Sequence, residues 1–102
     1  MPWFIKTEEF TQSTLNLTFE ERLYFLEKHK LWVRELNTAG KKISSGYLVN
    51  EKRLPGGGGL LVFEANSFQD ALALIKEDPM ISNGLVTWNL QEWIPVSGKL
   101  LI

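Results

Sequence analysis

No cysteine occurs in this 102-residue chain, and histidine occurs once. Without cysteine there is neither a disulfide framework nor a thiol nucleophile, and one histidine cannot form the His/Cys cluster of a structural zinc site. No metal site and no cofactor are expected. An excess of charge of either sign is also missing: 11 basic residues against 12 acidic ones give a formal net charge of -1. Nothing therefore marks the chain for nucleic acid or an anionic membrane. Its apolar runs are too short to span a bilayer, and Met1-Pro2-Trp3 lacks the basic and apolar regions of a signal peptide. The expectation is a soluble, cytoplasmic protein.

Bulky apolar residues, in contrast, are plentiful. Hydrophobic residues make up 44% of the chain, with four tryptophans and six phenylalanines, enough for the modest core of one domain over 1–102. Residues 2–10 mix aromatic and β-branched positions and predict a first strand. A loop over 11–17 follows. Thr18, with Glu21 three positions on, forms a capping box that opens a long helix, and Gly40 stops it. Residues 42–50 and 59–66 read as strands joined by a breaker-rich loop, EKRLPGGGG. Its glycines lack the Lys-Ser/Thr and the following helix of a phosphate cradle, so they are read as a flexible hairpin tip. Ser67 caps a second helix with an apolar stripe of Phe68, Ala71, Leu72 and Ile75, and Pro79 discourages its continuation. A final strand carries Val86, Trp88 and Leu90 in alternation with polar residues.

The order β-α-β-β-α-β predicts a ferredoxin-like α+β fold: a four-stranded antiparallel sheet with two helices on one face. Strands one and three are apolar at both parities, which predicts that the second face also finds a partner, in a homodimer packed sheet on sheet. Tyr24 and Leu31 fall on the polar side of the long helix, and the apolar end Leu100-Leu101-Ile102 is a candidate cover for them.

The chemistry converges on His29. At 100° per residue, Phe25, Leu26, Trp32, Val33 and Leu36 lie within about 60° of it, so the imidazole sits in the apolar stripe of its helix. Asp78 extends the stripe of the second helix, seven residues after Ala71. His29 lies roughly 16 Å along the first helix, and the second helix is about 16 Å long, so antiparallel neighbours that start level bring Asp78 beside the ring. A carboxylate near a helix C-terminus opposes the helix dipole, and an imidazolium would compensate for it. The carboxylate would in turn fix the ring's tautomer for proton transfer. Ser44, Ser45 and Tyr47 are candidates for further polar contacts, and Trp32, Tyr47, Phe63 and Trp88 for apolar walls, although each also fits ordinary packing.

These residues resemble the YCII-related family over most of the chain. His29-Lys30-Leu31-Trp32-Val33-Arg34-Glu35-Leu36, then Gly40 and Ser45-Gly46, are similar to its histidine helix and Ser-Gly strand. Glu64-Ala65, Ser67, Ala71, Asp78-Pro79, Gly84-Leu85-Val86 and Trp93 follow in the family's order. Tyr47 and Leu26 depart from it, standing where proline and arginine are common. The resemblance implies a dimeric α+β barrel with His29 and Asp78 as the active-site pair beside a cleft. One branch of the family eliminates chloride from a chlorinated hydroxyquinol, a lyase precedent.

Three functions follow in order of support. The first is a small-molecule enzyme in which His29 acts as general acid or base, oriented by Asp78, in an elimination or isomerisation of a small cyclic or carbonyl-containing compound. The second is a non-catalytic dimer that binds a metabolite or a protein, with His29 and Asp78 as a structural pair. The third, RNA binding, has the right element order but lacks the basic and aromatic third strand it needs.

Overall fold

A computed structural model describes residues 1–99 of the chain. The apolar end at 100–102, with the expectation that it covers Tyr24 and Leu31, lies outside the described residues. The elements are β1 (Trp3–Phe10), α1 (Gln12–Leu15), α2 (Phe19–Thr38), β2 (Ile43–Val49), β3 (Pro55–Glu64), α3 (Phe68–Ile75), α4 (Pro79–Ser82) and β4 (Val86–Trp93). The sheet order is β2-β3-β1-β4, and each neighbouring pair is antiparallel. Two interleaved split β-α-β units result, as the ferredoxin-like reading requires.

Local chemistry explains the helix ends. Thr18 accepts the Glu21 N–H while the Glu21 carboxylate accepts the Thr18 N–H, the reciprocal cap that the sequence predicts. At the other end, Gly40 takes φ +92°, donates to Asn37 O, and lets Lys41 donate to Leu36 O. That pair of bonds is a Schellman closure, which needs a left-handed residue at the glycine position.

Three expectations are corrected. Residues 12–15 form a helical turn instead of a loop, because Thr11 caps it and buried Thr14 donates its hydroxyl to Leu85 O at 2.7 Å. The glycine run is no hairpin tip. Gly58 and Gly59 pair with Glu9 and Glu8 inside β3, whereas the tip is Asn50–Leu54, organised by the Asn50 side chain accepting from Lys52 and Leu54 N–H groups. Asp78 does not cap the end of α3 against its dipole. It starts α4, accepting the Met80 N–H at 3.0 Å with Pro79 in the first helical turn, a favourable arrangement for both residues.

The register sorts side chains onto two faces, since residues directly opposite point the same way. Three rows cross the helix-covered face. The first is Ile43, Phe63, Phe4 and Glu92; the second Ser45, Leu61, Lys6 and Leu90; the third Tyr47, Gly59, Glu8 and Trp88. The core fills the first two rows: Phe4 stacks on Phe63 with centroids 6.0 Å apart, and Leu61, Ala71, Ile75 and Leu90 close around them. Trp32, Val33 and Leu36 of α2 pack on that cluster half-buried. The opposite face carries Trp3, Ile5, Leu60, Val62 and Trp93, all partly exposed.

The glycines of β3 differ in what they tolerate. Gly57 has φ +84° and an added Cβ would meet Phe10 Cδ2 at 3.3 Å, whereas Gly56 faces open space at ordinary φ. Gly57→Ala is expected to lower stability by about 1–2 kcal/mol, and Gly56→Ala to change it by no more than about 0.5 kcal/mol. Urea unfolding midpoints compare the two.

Candidate functional site

His29 and Asp78 meet. The His29 Nδ1 lies 2.8 Å from Asp78 Oδ1, although the two residues come from α2 and the start of α4. Asp78 is 0% exposed and accepts from three directions: His29 Nδ1, the Met80 N–H, and Lys6 Nζ at 3.3 Å on its second oxygen. Burial by itself would push the Asp78 pKa up. The hydrogen bond and charge of His29, with the Lys6 charge and the Met80 N–H, outweigh burial and hold the carboxyl below its ordinary value.

An ionised carboxylate only accepts, so His29 Nδ1 is the donor and the neutral ring presents a lone pair at Nε2. That nitrogen is engaged too. Ser45 Oγ stands 2.7 Å away, and toward the neutral ring its hydroxyl is the donor. The imidazole thus bridges from β2 to the buried acid with its side chain 12% exposed. Trp32 lies beside it, ring centroids 5.8 Å apart, its Nε1 buried without a hydrogen-bond partner.

The other sequence-predicted residues fall into two groups. Tyr47, 73% exposed, and Trp88, 37% exposed, flank Gly59 and Glu8 in the third row, next to the row that carries Ser45. Phe63 instead is fully buried against Phe4. It supports the floor and has no surface for a ligand.

Two residues of the cluster escaped the sequence reading. Lys6 is 0% exposed, wedged between the carboxylates of Glu8 and Asp78. Gly59 leaves room for Glu8: a Cβ there would meet Glu8 Cγ at 3.2 Å. The signal was available in the alternation of β1, where Lys6 and Glu8 share the parity of inward-facing Phe4. Among the described residues, no group of three His, Cys, Asp or Glu side chains could hold a metal ion. No helix among them is long and apolar enough to cross a membrane.

The sheet order and the cover of helices on one face define a ferredoxin-like α+β protein. The model of the YCII-related domain matches residues 3–93, and the chain belongs to that family. Three solved structures share the fold. The 5-chloro-2-hydroxyhydroquinone dehydrochlorinase TftG of Burkholderia phenoliruptrix, in complex with 2,5-dihydroxybenzoquinone, is similar at 19% identity and TM-score 0.67, over 90% of this chain and 93% of that one. At3g17210 from Arabidopsis thaliana is similar at 16% identity and TM-score 0.56, over 98% and 100%. A dimeric ferredoxin-like protein from an uncultured marine organism is similar at 17% identity and TM-score 0.52, over 97% and 100%. No curated protein matches the sequence.

Lys6→Met would leave two carboxylates close together without their cation, and is expected to cost about 3–5 kcal/mol. Adding Glu8→Gln should recover part of that loss, read as a coupling energy in a double-mutant cycle. Asp78 also sets an acid limit. Its folded pKa lies below the unfolded value of about 3.9, so its contribution is complete above that pH and is lost as pH falls through the folded value. Urea midpoints should drop below about pH 4, and Asp78→Asn should flatten that drop.

Proposed function

We propose that this chain is a small-molecule enzyme in which His29 moves a proton and Asp78 positions and charge-stabilises it. The observation that carries this reading is the ring held at both nitrogens, with a buried, ionised acid on Nδ1 and a solvent-facing hydroxyl on Nε2. That arrangement fixes one tautomer and aims the basic nitrogen toward the accessible side of the site. Elimination or isomerisation of a small cyclic or carbonyl-containing compound suits such a group, and the dehydrochlorinase of the same fold offers a precedent. Tyr47 and Trp88 offer exposed aromatic surface beside the pair, and Glu8 a hydrogen-bond acceptor.

The outer face supports a homodimer as part of this reading. Trp3, Ile5, Leu60, Val62 and Trp93 form an apolar surface on the side away from the helices, and a sheet with two apolar faces favours a second covering layer. The dimeric ferredoxin-like neighbour is in keeping with it.

Chlorinated hydroxyquinols and hydroxybenzoquinones are the first compounds to test. Chloride release, or a perturbation of the His29 ring signals in NMR, is the expected result, and His29→Gln should slow any turnover by about 10²–10⁴-fold. Nitrogen-15 shifts of the ring should report the Nδ1-protonated tautomer, mixed with the other tautomer in Asp78→Asn. A ring sealed from solvent and indifferent to every such compound would leave a structural pair in a binding module.

A further inference from the structure

The Ser45 hydroxyl beside His29 is more than a polar neighbour. Ser45 Oγ to His29 Nε2 measures 2.7 Å and His29 Nδ1 to Asp78 Oδ1 measures 2.8 Å, which is the nucleophile, base and acid order of a catalytic triad. Burial grades the same way: Asp78 is sealed, His29 nearly so, and Ser45 exposed. The basic lone pair therefore meets a substrate through the serine oxygen.

We propose that Ser45 is a nucleophile activated by His29 and Asp78, and that the chain hydrolyses small uncharged aryl esters through an acyl-Ser45 intermediate. This activity goes beyond the elimination or isomerisation reading and does not require it. Ser45 Oγ bonds to the ester carbonyl carbon as its proton passes to Nε2, and Asp78 stabilises the imidazolium. The carbon–oxygen bond to the aryl group then breaks, and the leaving oxygen takes the proton from Nε2. Water, deprotonated by the same nitrogen, attacks the acyl carbon, and Ser45 recovers its proton as the carboxylic acid departs. No other reactant enters.

The surroundings select the substrate class. Glu8 and Asp78 set two carboxyl groups against the single ammonium of Lys6, surroundings that disfavour anionic esters. Tyr47 lies two residues along the same face of β2, largely exposed, where an aryl leaving group can rest. Lys42 O accepts from Glu64 N, and antiparallel bonds alternate. With Ser45 opposite Leu61 on the outermost strand, its own N–H faces the open edge of the sheet, a donor for the developing oxyanion. One donor where hydrolases commonly use two predicts turnover slower by about 10²–10³-fold than theirs.

The test treats the full chain with p-nitrophenyl acetate and with a fluorophosphonate, and locates adducts by peptide mass spectrometry. Expected are one adduct per chain on Ser45, its loss in Ser45→Ala, and at least tenfold slower p-nitrophenol release in that variant. His29→Gln, with folding checked by circular dichroism, should slow labelling at least 100-fold. No adduct with either probe, an adduct on another residue, or undiminished release by Ser45→Ala overturns the proposal. The serine variant keeps the His29–Asp78 pair, so its response to hydroxybenzoquinones tests the dyad reading separately.

Discussion

One buried carboxylate organises the protein. Asp78 accepts from β1 through Lys6, from α2 through His29 and from its own short helix through the Met80 N–H, and His29 extends the connection to Ser45 on β2. A charge removed from water is tolerated only when it is paired and hydrogen-bonded, so the partners are required together. The same requirement that stabilises the carboxylate aligns the imidazole. Structural support and the orientation of the ring are here one set of bonds.

The sheet supplies the geometry that this set needs. Because β3 lies between β1 and β2, Lys6 and Ser45 stand in one row with Leu61 between them, and the imidazole reaches across from above. The next row holds Glu8 between Gly59 and Trp88, with Tyr47 beyond the glycine. Polar chemistry and aromatic surface are thus neighbours on the exposed end of the helix-covered face. The apolar packing of Phe4, Phe63 and Ile75 lies at the other end.

Much of this was legible in the residues. The capping box at Thr18, the stop at Gly40 and the inward phase of His29 are local signals, and local hydrogen bonding and helical periodicity decide them. Helix length alone places Asp78 beside His29, yet for an incomplete reason: the pair Asp-Pro reads as an ending when its chemistry also makes a beginning. The glycines misled because their composition resembles a turn, while the pairing that makes them a strand comes from β1, far away in sequence. Lys6 escapes a local reading because a lysine is expected in water, and its burial is justified only when Asp78, distant in sequence, joins Glu8 around the ammonium. Ser45 was identified as polar company for the site, but its alignment with Nε2 depends on strand register, which no local pattern contains.

The span of chain between these partners carries its own consequence. Lys6 and Asp78 are 72 residues apart, and His29 and Asp78 are 49 apart. During synthesis, the first strand and the long helix emerge well before the carboxylate that neutralises them. Glu8 stands beside the lysine from the start, but the second carboxylate, which Lys6 needs for full burial, comes only with the last third of the chain. Contacts this distant in sequence form slowly and late. The cluster around Asp78 is therefore complete only when residues from both ends of the fold have come together.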